Sequence, residues 1–313
     1  MPQPRDQEYG FDEVAPGVAR LRVATVNVYF LGEQSGWILV DAGFPNGAAE
    51  ILRVAGDRFG VESRPAAIVL THGHFDHVGA LESLLSVWDV PVYAHTAELP
   101  FLTGVADFPP PDATVGGGVP SRFSPAVPEA GIDLGPRVQP LPAHGRVPGM
   151  PTWRWIHTPG HSPGHIALFR ATDRVLLAGD AVATTDQSSI YSSLMQRREL
   201  SGPPAYFTID WDKAEHSAAI LASLKPAVLA TGHGTPMSHD TLADEFTSLA
   251  RDFNKRVRPT HGRYVVQPAF FDGDRVSALP VSARSSRVRW GAVSGVAAAT
   301  LAGTWLYRRF AKR

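Results

Sequence analysis

The sequence predicts an α/β fold, and three observations carry that reading. From Val18 to Val40 the chain reads VARLRVATVNVYFLGEQSGWILV, rich in β-branched and aromatic residues and broken at Gly32 and Gly36, which predicts strands joined by a tight turn. The stretch GAAEILRVAGDRFG then sets Ile51, Leu52, Val54 and Ala55 on one helical stripe, ending near Gly56 to Gly60. A short apolar run, AAIVL, leads straight into a group of histidines at 72 to 77. That order places the histidines at the carboxyl end of a buried strand, where α/β folds commonly carry functional loops.

The remaining elements follow in order. ALESLLSVW reads as a second helix and PVYAH as a strand. Residues 107 to 131 are rich in Pro and Gly and predict a long loop, either a surface insertion or a substrate lid. Strand-like runs recur at TWRWIH, HIALFR, RVLLAG and AVLAT, with a helix from Trp211 to Leu224 and another after His239.

A chain of 313 residues is ample for a buried core and a catalytic cleft. With 44% hydrophobic residues, 19% charged residues and a formal net charge of −1, it lacks the basic excess of a nucleic-acid binder. There is no cysteine, which excludes disulfides, thiol nucleophiles, iron–sulfur clusters and thiolate zinc sites. Any metal must be held by His, Asp or Glu.

The segment Thr71-His72-Gly73-His74-Phe75-Asp76-His77 packs four metal-ligating side chains into six residues. Imidazole and carboxylate are the usual non-thiolate ligands of zinc. An extended loop can aim the His72/His74 pair at one ion while Asp76 and His77 turn toward another. Gly73 lets the backbone bend there.

This segment resembles the H-x-H-x-D-H signature of the metallo-β-lactamase superfamily, and further motifs match in the family's order. Residues 158–164, TPGHSPG, resemble its T-P-G-H-[ST]-x-G segment; Gly179-Asp180 resembles the strand ending in a bridging aspartate; Gly232-His233-Gly234 resembles the last histidine element. The resemblance spans roughly residues 18 to 255 and implies an αββα four-layer sandwich. It puts His72, His74 and His161 on one metal, Asp76, His77 and His233 on the other, and Asp180 between them, with Asp41 behind the ligand loop. Two zinc ions are the default, although His and Asp also accept manganese or iron.

Such a centre implies a hydrolase in which a hydroxide between the metals attacks a small acyl substrate, a thioester, lactone or other ester, with Asp76 and Asp180 as the carboxylates of the reaction. The lack of cysteine and the presence of Asp180 resemble the glyoxalase II and lactonase type of branch rather than antibiotic hydrolases. No segment matches the glutathione-contacting helical domain of glyoxalase II. A phosphodiesterase and an iron-dependent oxidoreductase resembling persulfide dioxygenases are the alternatives. Tyr191, Arg197, Arg198, Tyr206, Trp211 and Lys213 lie between the last two motifs and are candidates for substrate contact. His157 and His165 read as hydrogen-bonding neighbours of the ligand at 161, His95 as a surface residue, and His144, His216, His239 and His261 as ordinary structural residues.

The amino terminus lacks a secretory signal. The expected organisation is a catalytic domain over residues 1–275, a linker over 276–289, a candidate membrane helix over 290–307 and a basic tail over 308–313. From Trp290 to Tyr307 no residue is charged, enough for about 27 Å of helix against a hydrocarbon core of about 30 Å. The resulting expectation is a cytoplasmic enzyme of small molecules, tail-anchored to a membrane, without nucleic-acid partners.

Overall fold

The computed structural model describes residues 11–116, 131–195, 197–272 and 275–280. Strands β1 (Phe11–Ala15), β2 (Val18–Val23), β3 (Val26–Glu33) and β4 (Gly36–Val40) form an antiparallel meander. The parallel strands β5 (Ile68–Val69), β6 (Val92–Ala94) and β7 (Val138–Pro140) extend it into a seven-stranded sheet in sequence order. A second sheet has the order β12-β11-β10-β9-β8, built from β8 (Arg146–Val147), β9 (Met150–His157), β10 (Ile166–Arg170), β11 (Val175–Leu177) and β12 (Val228–Ala230). Only the β11–β12 pairing in it is parallel.

Alternation along the strands explains the layering, because side chains two residues apart share a face. In β3, Val28 and Phe30 join a core with Ile51, Val54 and Phe59 of α1 (Ala48–Phe59), whereas Tyr29 and Leu31 face the other way. There they meet Ile166 and Leu168 of β10 and Leu177 of β11, so the central core lies between the two sheets. Leu176 and Leu229 point outward from the second sheet against α6 and α7 (Trp211–Ser223 and Leu242–Arg251), meeting Leu221 and Phe246. Sheets buried on both faces account for the near-continuous apolar runs in the sequence. The product is the expected αββα sandwich.

Several elements differ from the sequence expectation. The run at ALESLLSVW keeps only a short helix, α3 (Leu81–Leu85), preceded by the one-turn α2 (Phe75–Val78). Further short helices are α4 (Leu99–Leu102) and α5 (Ile190–Met195). Strands β1, β7 and β8 and the hairpin of β13 (Phe270–Asp272) with β14 (Arg275–Ala278) are additional. The hairpin runs across the expected domain boundary at 275, and the chain divides after Ser282. Of the proline- and glycine-rich loop, residues 117–130 lie outside the described residues, as does the candidate membrane helix at 290–307. Among the described residues no helix is long and apolar enough to cross a membrane.

Candidate metal centre

Strand ends and the segments that follow them deliver all seven residues that the resemblance put at the metals. His72 follows β5 by three residues, and His74 is the extended residue before α2, which carries Asp76 and His77 on its single turn. His161 lies in the loop between β9 and β10, Asp180 just beyond β11 and His233 just beyond β12. The two sheets are stitched together at this end: Ile166 N–H donates to the Thr71 carbonyl at 2.9 Å and Asn27 N–H to the Gly232 carbonyl at 2.8 Å.

All seven side chains are buried and converge. Ligand-type atoms of His72, His74 and His161 form one compact group and those of Asp76, His77 and His233 another; His72, His77 and Asp180 make a third between them. Asp180 is central. Its Oδ1 lies 3.6 Å from His77 Nε2, and its Oδ2 lies 3.5 Å from His161 Nε2 and 3.2 Å from His233 Nε2. Asp76 Oδ2 is 3.5 Å from His233 Nε2.

Neighbouring groups decide which ring nitrogens face inward. Asp41, at the end of β4 with φ 62°, accepts from Thr71 N–H at 2.7 Å and from the Thr71 hydroxyl at 2.8 Å. His77 Nδ1 lies 2.9 Å from the same carboxylate and must carry the proton there, since an ionised carboxylate only accepts. The Thr71 hydroxyl spends its hydrogen on Asp41, so it accepts from His72 Nδ1 at 3.0 Å. Asp41 thus sets the tautomer of two histidines, leaving both Nε2 atoms without a hydrogen bond. His233 Nδ1 likewise donates to the Thr25 carbonyl at 3.0 Å.

The electrostatics fit a cation. His74 Nδ1 stands 3.0 Å from His161 Nε2. Burial, then nearby histidines, pushes the pKa of His72 and His161 well below the usual range; burial and His77 lower that of His74 to about 3. These rings are neutral, with lone pairs that converge, as metal binding needs. Burial also opposes charge on His77 and His233, but Asp180 and neighbouring carboxylates outweigh it and raise both. Asp180 is pulled well below the carboxylate range by His233 and His77 despite its burial, while burial raises Asp76. Four carboxylates, Asp41, Asp76, Glu98 and Asp180, are buried around the cluster, and among the described residues none of them forms an ion pair with Lys or Arg. A cation held at the cluster would offset the charge of those that are ionised.

Other residues fall into place around the cluster. His165 holds Asp180 through the main chain, and Thr158 lies against its other nitrogen, so its expected hydrogen-bonding role is what the structure shows. His157 contacts the Pro163 carbonyl at 2.9 Å. His95, expected at the surface, is half-buried because its ring stacks on His157 at 3.9 Å. His144, His216, His239 and His261 are exposed. Trp211 is packed in the core, Lys213 pairs with Asp210 at 3.0 Å, and Tyr191, Arg197 and Arg198 are exposed. Tyr206 stands beside Phe207, and Phe207 and Phe108 flank the His74 ring at centroid distances of 4.9 and 4.7 Å.

Three residues at the site carry no sequence signal. Asn27 Nδ2 donates to the carbonyls of Thr231 and Gly234, and the Tyr29 hydroxyl to that of Thr231 at 2.7 Å, so strand β3 shapes the turn that presents His233. Glu98, in the 3₁₀ turn Thr96–Glu98, is fully buried behind the loops of His72–His74 and His161. An acidic residue twenty-odd positions from the motif has no pattern that betrays it.

The fold and this cluster define a metal-dependent hydrolase. A family model described as the metallo-β-lactamase superfamily matches residues 21–233, and the chain belongs to that superfamily. The probable metallo-hydrolase YflN of Bacillus subtilis is 48% identical over 241 residues, which cover 76% of this chain and 91% of that relative. The probable metallo-hydrolase YybB of the same organism is 28% identical over 209 residues, 67% of this chain and 80% of its own length. Among solved structures, a B3 metallo-β-lactamase with an active-site glutamic acid superposes with a TM-score of 0.53 at 18% identity, over 82% of this chain and 95% of that one. A metallo-β-lactamase of Cronobacter sakazakii with an HARLDQ motif gives 0.52 at 16% identity, over 78% and 92%. At these identities the likeness concerns the fold.

Proposed function

We propose that the protein holds two divalent metal ions, zinc by default, and hydrolyses a small acyl substrate such as a thioester or lactone. The observation that carries this reading is the position of Asp180, whose two oxygens face histidines of both groups at 3.2 to 3.6 Å. In the proposed assignment His72, His74 and His161 hold one ion, Asp76, His77 and His233 the other, and Asp180 both. Bound there, divalent ions supply Lewis acidity and lower the pKa of water toward about 7.

The chain's own residues supply the rest. The aromatic faces of Phe108 and Phe207 beside His74 offer an apolar seat for an acyl group. Asp76 Oδ2, beside His233, is the second carboxylate facing the cluster and would serve there as a charged ligand. The buried surround excludes bulk water and strengthens each of these interactions.

Metal analysis of the purified full chain, with hydrolysis assays on thioesters, lactones and phosphodiesters before and after chelation, tests the reading. Two zinc equivalents with chelator-sensitive acyl hydrolysis are expected. Iron without hydrolysis would overturn it, and preferential phosphodiester cleavage would overturn its substrate class. The uncharged stretch at 290–307 is proposed as a membrane attachment for a catalytic part in the cytoplasm; a chain ending at Val281 that still sedimented with membranes would defeat this.

A further inference from the structure

We propose that Glu98 is a positioning residue for one of the two metal ions: its carboxylate clamps the backbone beside His72 and His74 to the backbone beside His161, so that these three imidazoles converge. The inference rests on the two-ion reading above and goes beyond it, since the hydrogen bonds of the Glu98 carboxylate go to Gly73, Ser162 and Gly164 and not to a candidate ligand side chain.

The geometry is explicit. Glu98 Oε2 accepts from Gly73 N–H at 2.9 Å, the amide between the two histidines of the first loop. Its Oε1 accepts from the Ser162 hydroxyl at 2.6 Å and from Gly164 N–H at 2.7 Å, on either side of Pro163 in the second loop. One buried carboxylate therefore ties together two segments some ninety residues apart, at points one and three residues from His161 and one residue from both His72 and His74. All three partners are donors, which suits a group that only accepts. A buried carboxylate without such partners would be strongly disfavoured.

The surroundings fix the clamp in place. A Cβ at Gly164 would lie 2.8 Å from the Glu98 Cγ and from its backbone N, so only glycine lets the loop approach this closely. A Cβ at Gly73 would lie 3.3 Å from Glu98 Oε2 and 3.0 Å from the Phe108 ring. His95 caps the 3₁₀ turn, its Nδ1 accepting from Ala97 N–H at 3.2 Å, and its ring stacks on His157, which reaches the Pro163 carbonyl. Both ends of the clamp are thereby braced. Among the described residues no comparable hydrogen bond links Glu98 to Asp76, His77 or His233, which are carried by α2 and by the β12 turn held by Asn27 and Tyr29.

The effect should accordingly be one-sided. Glu98→Gln keeps the shape but turns an NH₂ group toward at least one of three donors. In full-length protein stripped of metal and titrated with Zn²⁺ against a chromophoric chelator, Glu98→Gln is expected to weaken one of two ions about 10- to 100-fold and leave the other near wild type. The pair His233→Ala and His161→Ala, each combined with Glu98→Gln, locates the effect. In the His233→Ala background the remaining ion should weaken on adding Glu98→Gln, and in the His161→Ala background it should not.

Glu98→Asp, a shorter carboxylate, should recover part of the affinity, which a merely space-filling role would not predict. Two unchanged affinities in Glu98→Gln, or two that fall in step with a lower thermal midpoint, would overturn the proposal. A wild-type chain that binds a single ion would instead overturn the two-ion reading. In that case Glu98→Gln must weaken this ion if His161→Ala abolishes it, and an ion insensitive to both changes would overturn the proposal as well.

Discussion

His165 holds Asp180 by its main chain: the ring Nε2 accepts the Asp180 N–H at 2.8 Å. That bond places the proton on Nδ1, which lies 2.8 Å from the Thr158 hydroxyl and 3.2 Å from the Thr158 carbonyl. The neutral ring is required, and burial, the largest influence, lowers its pKa to about 4 against an ordinary value of 6.5. The unfolded chain therefore takes up a proton between pH 6.5 and 4 that the folded chain refuses. Stability from this residue is full above about 6.5 and is lost as pH falls toward 4. Thermal midpoints of the metal-free protein should drop across that window, and His165→Gln, whose Oε1 can take over the bond from Asp180, should flatten the drop. An unchanged slope would remove His165 from the account.

Replacing Asp180 with Ala should bring hydrolysis to near the uncatalysed background while the fold is kept. The side chain contacts histidines of both groups, and none of the three apolar cores includes it. Circular dichroism together with turnover of the best acyl substrate checks both halves. Turnover at the wild-type rate would refute the assignment.

How much of this was legible in the sequence depended on distance along the chain. His72, His74, Asp76 and His77 announce themselves because neither core packing nor surface solvation calls for four metal-ligating side chains in six residues, and the structure does bring them together with His161, Asp180 and His233. The long strands β2, β3, β9 and β10 were legible from their β-branched and aromatic runs. Strands of two or three residues such as β7 and β8 were not, because so short a run carries no periodicity. Helix α3 stops after Leu85, and the turns that follow, with the N–H groups of Val87 and Trp88 both on the Leu84 carbonyl, carry the chain toward Pro91, a boundary that composition blurs. Glu98, Asn27 and Tyr29 were invisible as site residues for a different reason. Their partners are mostly backbone groups, remote in sequence, and a backbone group leaves no mark on residue type.

Trp37 tests the outer layer independently of the metal centre. Its ring is buried, stacks on Phe59 at 4.3 Å, meets Trp88 edge-on at 5.5 Å and donates from Nε1 to the Ser63 hydroxyl at 2.9 Å. Trp37→Ala should cost about 3 to 5 kcal/mol, through lost burial and the cavity left behind. Because Trp37 faces α1 rather than the second sheet, metal stoichiometry should stay at the wild-type value. Chemical denaturation and metal analysis of the same sample separate the two effects; a change in stoichiometry at unchanged stability would contradict this layering.

Asp41 should act on both ions, unlike Glu98. Its carboxylate orients His77 directly and His72 through the Thr71 hydroxyl, and these two rings belong to different groups of the cluster. Asn is the clean replacement, because it tolerates the left-handed backbone that Asp41 adopts at φ 62°. The amide keeps one acceptor oxygen but sets an NH₂ group against either Thr71 or the Nδ1 proton of His77, so at least one ring loses its fixed tautomer. Asp41→Asn is expected to weaken both ions, each by about 10- to 100-fold, the usual cost of removing a partner behind a ligand. The chelator titration that resolves the two ions in Glu98→Gln resolves them here. Weakening confined to one ion would show that the hydroxyl of Thr71 does not transmit the orientation to His72, and two unchanged affinities would show that the ring tautomers are set without Asp41.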